Sequence, residues 1–72
     1  MTAIYRIRVK GELDPARSAW FDGLAVRQRA NGETVLVGPL VDQAALHGVL
    51  MRIRDLGLPL LSVTTEEAAD TP

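Results

Sequence analysis

Apolar and polar positions alternate from Ala3 to Lys10, with Tyr5, Ile7 and Val9 on one side and Arg6, Arg8 and Lys10 on the other. A period of two is what a half-buried strand requires, so this run predicts the first strand. Residues 42–57 follow a different period. Leu46, Val49, Leu50, Ile53 and Leu56 recur at spacings of three, one, three and three, which lines them up as one apolar stripe on a helix. Asp42 supplies the N-terminal cap, and Gly57 followed by Pro59 marks the end.

Residues 24–30 and 33–38 flank Asn31-Gly32, a strong hairpin signal, because a type I′ turn needs positive φ at both central residues. A two-residue loop sets Ala30 opposite Glu33, Gln28 opposite Val35 and Val26 opposite Val37. Leu24, Val26, Val35 and Val37 then face the core, and Ala25, Arg27, Arg29, Thr34 and Leu36 face away. Residues 60–65 read as the last strand, with Leu61 and Val63 inward and Leu60, Ser62 and Thr64 outward. Asp14-Pro15 is a helix-start signal. It predicts a short helix over 15–21, closed by Gly23 and packing Trp20 and Phe21 on the core.

The order is therefore strand, short helix, strand, strand, long helix, strand. Residues 10–22 are just long enough for a crossover between the first two strands. These elements predict an α+β fold of the ferredoxin-like split βαβ kind: four antiparallel strands ordered 4-1-3-2, both helices on one face and the other face open. The alternative is a meander of the first three strands, with residues 11–23 as a bulky connection, followed by helix and strand.

Composition narrows the setting. A chain of 72 residues supports one core, expected to occupy residues 1–65, with residues 66–72 as a disordered acidic tail. With no cysteine and one histidine, the staples common in small domains are missing, so self-association is the expected source of further burial. The same composition, without a charged leader and long apolar stretch, suggests a cytoplasmic protein that does not span a membrane. Net charge is −1, but residues 1–65 carry eight bases and six acids, and seven of the eight bases are arginine. Arginine's planar fork suits carboxylate or phosphate pairing.

The stretch DQAALHGVLMRIRDLGLPLLSV from Asp42 to Val63, with Trp20-Phe21-Asp22-Gly23 and the Asn31-Gly32 hairpin, resembles a family of short uncharacterised bacterial proteins. The resemblance implies a stand-alone domain. It brings no established activity, catalytic residue, cofactor or partner.

Candidate chemistry is sparse. His47 has Gln43 and Met51 one helical turn away, neither of which orients a general base or binds a metal strongly. Asp42 reads as a helix cap and Asp55 as an exposed partner for Arg52. No catalytic, cofactor-binding or metal-binding residue is expected. Gly48 costs a helix about 1 kcal/mol relative to alanine, so with Ala44 and His47 it marks a notch that Trp20, Phe21 or a partner could fill. Arg6, Arg8, Arg27 and Arg29, with Leu36 and Leu60, are expected on the open sheet face. Such a face without aromatic stacking residues argues against nucleic-acid binding. Arginine among leucines suits a protein interface. The expectation is a non-enzymatic interaction module, a homodimer or small accessory subunit using that face or a strand edge. The alternative is a regulatory domain that binds a small anionic ligand.

Overall fold

A computed structural model describes residues 3–67. The alternating run becomes β1 (Ala3–Lys10), and a 3₁₀ helix (Pro15–Phe21) leads to β2 (Ala25–Gln28). They are followed by β3 (Glu33–Leu40), α1 (Gln43–Asp55) and β4 (Leu60–Glu67). All pairings are antiparallel, and the strand order is β2-β3-β1-β4, which read from the β4 edge is 4-1-3-2. The meander alternative is overturned, because β1 pairs with β3 and β4 and not with β2.

The first crossover holds a 3₁₀ helix and no α-helix. Asp14 caps it by accepting the Ala16 N–H at 3.0 Å. Seven residues give few i→i−4 bonds to offset the cost of nucleation, and short segments tighten to i→i+3 bonding. Asp22 ends it in the left-handed conformation (φ 55°), one residue before the expected Gly23. Phe21 is fully buried, whereas Trp20, also expected in the core, is 47% exposed. Its ring instead lies 5.1 Å from the Arg17 guanidinium, a cation–π distance.

The hairpin register differs from the expectation by one residue: Val26 lies opposite Leu36, Arg27 opposite Val35 and Gln28 opposite Thr34. The cause is a three-residue loop. Gly32 N–H donates to the Arg29 carbonyl at 3.2 Å, Arg29 N–H donates to Glu33 at 2.7 Å, and Gly32 has φ 85°. This is a type I turn followed by a left-handed glycine, so Asn31 need not take positive φ. The Asn31 side chain accepts the Glu33 N–H at 3.1 Å instead.

A shift of one residue turns every β3 side chain to the opposite face. Leu36 and Thr34 therefore join the core side, opposite Ile7 and Val9 of β1, while Val35 and Val37 lie opposite Arg8 and Arg6. Thr34 is fully buried, and its hydroxyl donates to the Gly11 carbonyl at 2.6 Å. Beside it the Gln28 amide donates to the Leu13 carbonyl at 2.6 Å. Two adjacent polar side chains thus hold the loop after β1 against the hairpin and bring Leu13 into the core.

That core is Ile7, Val9, Leu13, Phe21, Leu24, Leu36, Leu40, Val49 and Ile53, all on the helix side of the sheet. Asp42 caps α1 through the Ala45 N–H at 2.8 Å, and α1 inserts Val49 and Ile53. Gly38 leaves room for Leu24, whose Cδ2 would lie 3.0 Å from any added Cβ. In β4 the register against β1 shifts between Arg8, opposite Ser62, and Val9, opposite Leu60. Leu61 is the bulged residue. Leu60, expected to face outward, consequently shares the side of Val9. β4 runs two residues beyond the expected strand end, with Glu66 and Glu67 opposite Ile4 and Ala3. The remainder of the expected tail, 68–72, lies outside the described residues.

Two measurements check this fold. Thr34→Val leaves the Gly11 carbonyl without its donor and is expected to lower unfolding free energy by about 1–3 kcal/mol in urea titration; an unchanged midpoint would show that the bond contributes nothing. Gly32→Ala and Gly48→Ala should move stability in opposite directions. Alanine at Gly32 must hold positive φ, at a cost of about 1–2 kcal/mol. Alanine at Gly48 meets no atom within 4 Å and should stabilise α1 by about 0.5–1 kcal/mol. Thermal melts that shift both variants the same way would contradict this assignment.

Candidate functional site

The face away from the helices is built by strand parity. Even positions of β1 and odd positions of β2 and β3 share it, setting Arg8, Val35 and Arg27 in one row and Arg6, Val37 and Ala25 in the next. Ser62 and Thr64 of β4 extend the rows beside Arg8 and Arg6. Val35 is only 4% exposed although no described helix lies over this face. Its neighbours across both strands are arginines, whose aliphatic stems cover apolar surface while their charged heads stay in water.

The arginines are not equivalent. Arg8 is held by Glu33 through two bonds of 3.2 Å, from Nε and from one terminal nitrogen, and a third donor lies 3.5 Å from the Ser62 hydroxyl. A forked pair of this kind fixes the side chain in one orientation. Arg6 and Arg27 are exposed on the same face, and Arg29 is exposed just beyond the end of β2. A partner arriving here would meet a fixed Arg8–Glu33 pair, two solvent-facing guanidinium groups and the partly exposed Val37.

Two residues expected on this face lie elsewhere. Leu36 is fully buried beneath the helix layer, and Leu60 borders a cleft between α1 and the start of β4. Val35 and Val37 occupy the face in their place. The pairing partners of β3 carry the missed signal: the alternation in β1 forces Leu36 beneath the core once β1 and β3 are neighbours.

The residues expected to form a notch are brought together only as neighbours on α1. Ala44, His47 and Gly48 are all exposed, and neither Trp20 nor Phe21 fills the space above Gly48. The Trp20 carbonyl instead accepts a hydrogen bond from Arg52. Arg52 does not pair with Asp55, whose carboxylate lies 3.7 Å from Arg54 at a largely exposed position.

His47 borders a shallow depression with Leu50, Met51 and Arg54. The neighbouring cleft of about 400 Å³ is lined by Leu50, Ile53, Leu58 and Leu60, with Arg54 as its cation. Its walls are apolar and offer one guanidinium as a polar anchor. Among the described residues, no group of three or more histidine, aspartate or glutamate side chains could hold a metal ion. Nor is any described helix long and apolar enough to cross a membrane.

No curated protein and no solved structure matches the chain. A family model does match, over residues 4–64, from the second residue of β1 to the middle of β4. This span takes in the hairpin, both rows of the open face and all of α1, so the chain belongs to the family described as Domain of unknown function (DUF8691).

Proposed function

We propose that the domain is a non-enzymatic interaction module whose open sheet face docks an acidic surface of another protein. The observation that carries this reading is the grouping of exposed Arg6 and Arg27 with Val37 on a face that no described helix covers. Arginine beside apolar surface is the composition that interfaces favour. Charge sign selects the partner class. Two copies stacked face to face would set these arginines against their own counterparts, and like charges juxtaposed in an interface cost several kcal/mol. An acidic partner gains where a second copy loses, which supports the accessory-subunit form of the reading for this face.

The strand order and the two crossovers support placing the domain with shortened ferredoxin-like split βαβ folds, its first helix reduced to a 3₁₀ segment. The cysteine-free composition supports a cytoplasmic setting.

A second reading, a regulatory domain for a small anionic ligand, is favoured by the cleft beside α1. Apolar walls with Arg54 at the rim suit a short-chain carboxylate. Octanoate should then slow amide exchange in residues 50–60; unchanged exchange at saturating octanoate would remove this reading.

The docking role is tested by photo-crosslinking in cells, with a photoreactive residue at Val37 and, as control, at Gln43 on α1. The expected result is a discrete adduct from position 37 whose partner is acidic, reduced at least tenfold by Arg27→Glu. Identical adducts from both positions, or an adduct indifferent to Arg27→Glu, would contradict it.

A further inference from the structure

Among the described residues β4 forms one edge of the sheet, hydrogen-bonded to β1 on one side only. An unpaired edge presents a row of backbone donors and acceptors to any other strand. Sheets guard such edges with short strands, charges, proline, bulges or a covering segment. The opposite edge has such protection: β2 is four residues long, carries Arg27 and lies against the 3₁₀ helix. β4 is eight residues long, and its first six, LLSVTT, contain neither charge nor proline. Its bulge sits at Leu61, which leaves residues 62–67 in unbroken register with β1. At the start of this edge Leu60 and Leu61 are 48% and 42% exposed.

We propose that a second copy of the chain pairs along β4 in antiparallel fashion, joining two four-stranded sheets into one of eight. The order of charge along the strand identifies the occupant. β4 begins beside basic residues: Arg54 lines the cleft with Leu60, and the Lys10 N–H donates to the Pro59 carbonyl. It ends in the sequence Glu66-Glu67. Reversing the strand against itself sets the acidic end of one copy beside the basic end of the other, twice in each dimer. A parallel partner of the same sequence would align like with like.

The pairing also fixes what the dimer presents. Directly opposed residues of an antiparallel pair share a face, so the two-fold axis stands perpendicular to the sheet. Both α1 helices then lie on one side and both arginine rows on the other. The pairing axis falls at Thr64 or Thr65, which flank the midpoint of the regular segment 62–67, where a centre best keeps that segment in contact with its own copy. This association uses the strand edge and stands independently of the docking role given to the sheet face.

The chain has no cysteine, so single cysteines report their own position without background. Ser62, Val63, Thr64 and Thr65 are replaced one at a time, with Arg27→Cys on the opposite edge as control. Mild oxidation should give covalent dimers from β4 positions, with a maximum at one of them, and at least tenfold less from Arg27→Cys. In sedimentation, the unmodified chain should be dimeric at tens of micromolar. Thr64→Lys should weaken association at least tenfold while circular dichroism stays unchanged. Arg27→Glu should leave association intact. A chain that remains monomeric at every concentration, or crosslinking as efficient from Arg27→Cys as from β4, would overturn the proposal. So would a dimer that Arg27→Glu dissociates and Thr64→Lys does not, which would place self-association on the sheet face.

Discussion

The placement of Leu36 opposite Ile7 decides what each side of the sheet becomes. Both side chains are fully buried on the helix side, at the centre of the β3–β1 ladder. Each contributes about 1.5–3 kcal/mol by leaving water. Moving β3 by one residue would bring Val35 and Val37 beneath α1 and push Leu36 out among the arginines. The same shift would remove Thr34 from the Gly11 carbonyl, leaving a part-buried acceptor without this donor. Burial and hydrogen bonding therefore favour the same register, which is why a three-residue loop with a single left-handed glycine is retained at the hairpin.

The remaining surfaces follow from that choice. One α-helix and one 3₁₀ helix cover one face, and among the described residues no further element covers the other. Val35 lies there between Arg8 and Arg27, which gives the open face its mixed apolar and cationic character. Among the described residues β4 receives no strand on its outer side, and Leu60, beside the cleft between it and α1, is half exposed. The exposed surfaces of the sheet are thus the parts that the small core does not enclose.

Much of the arrangement is legible in the sequence. The alternation of β1, the Asp14 and Asp42 caps and the apolar stripe of α1 each have a local cause, and each lies where that cause puts it except Leu56, which falls past the end of α1 and is exposed. The face of β3 was not legible from the hairpin alone, because Asn-Gly serves both a two-residue I′ turn and a three-residue turn with glycine left-handed. Those loops differ by one residue in register, which exchanges Leu36 for Val35 and Val37 on the open face. Parity fails for Leu60 as well, because the bulge at Leu61 arises from pairing with β1 and leaves no local signature in LLSV. Arg6, Arg8 and Arg27 keep the face that alternation gives them, since β1 and β2 carry no bulge at those positions.

The β3 register is measured most directly by nuclear Overhauser effects between backbone protons of paired strands. This account predicts cross-strand contacts joining Arg27 to Val35 and Val26 to Leu36, together with contacts joining Ile7 to Leu36. Contacts joining Gln28 to Val35 and Val26 to Val37 would contradict it, returning Leu36 to the open face and the valines to the core.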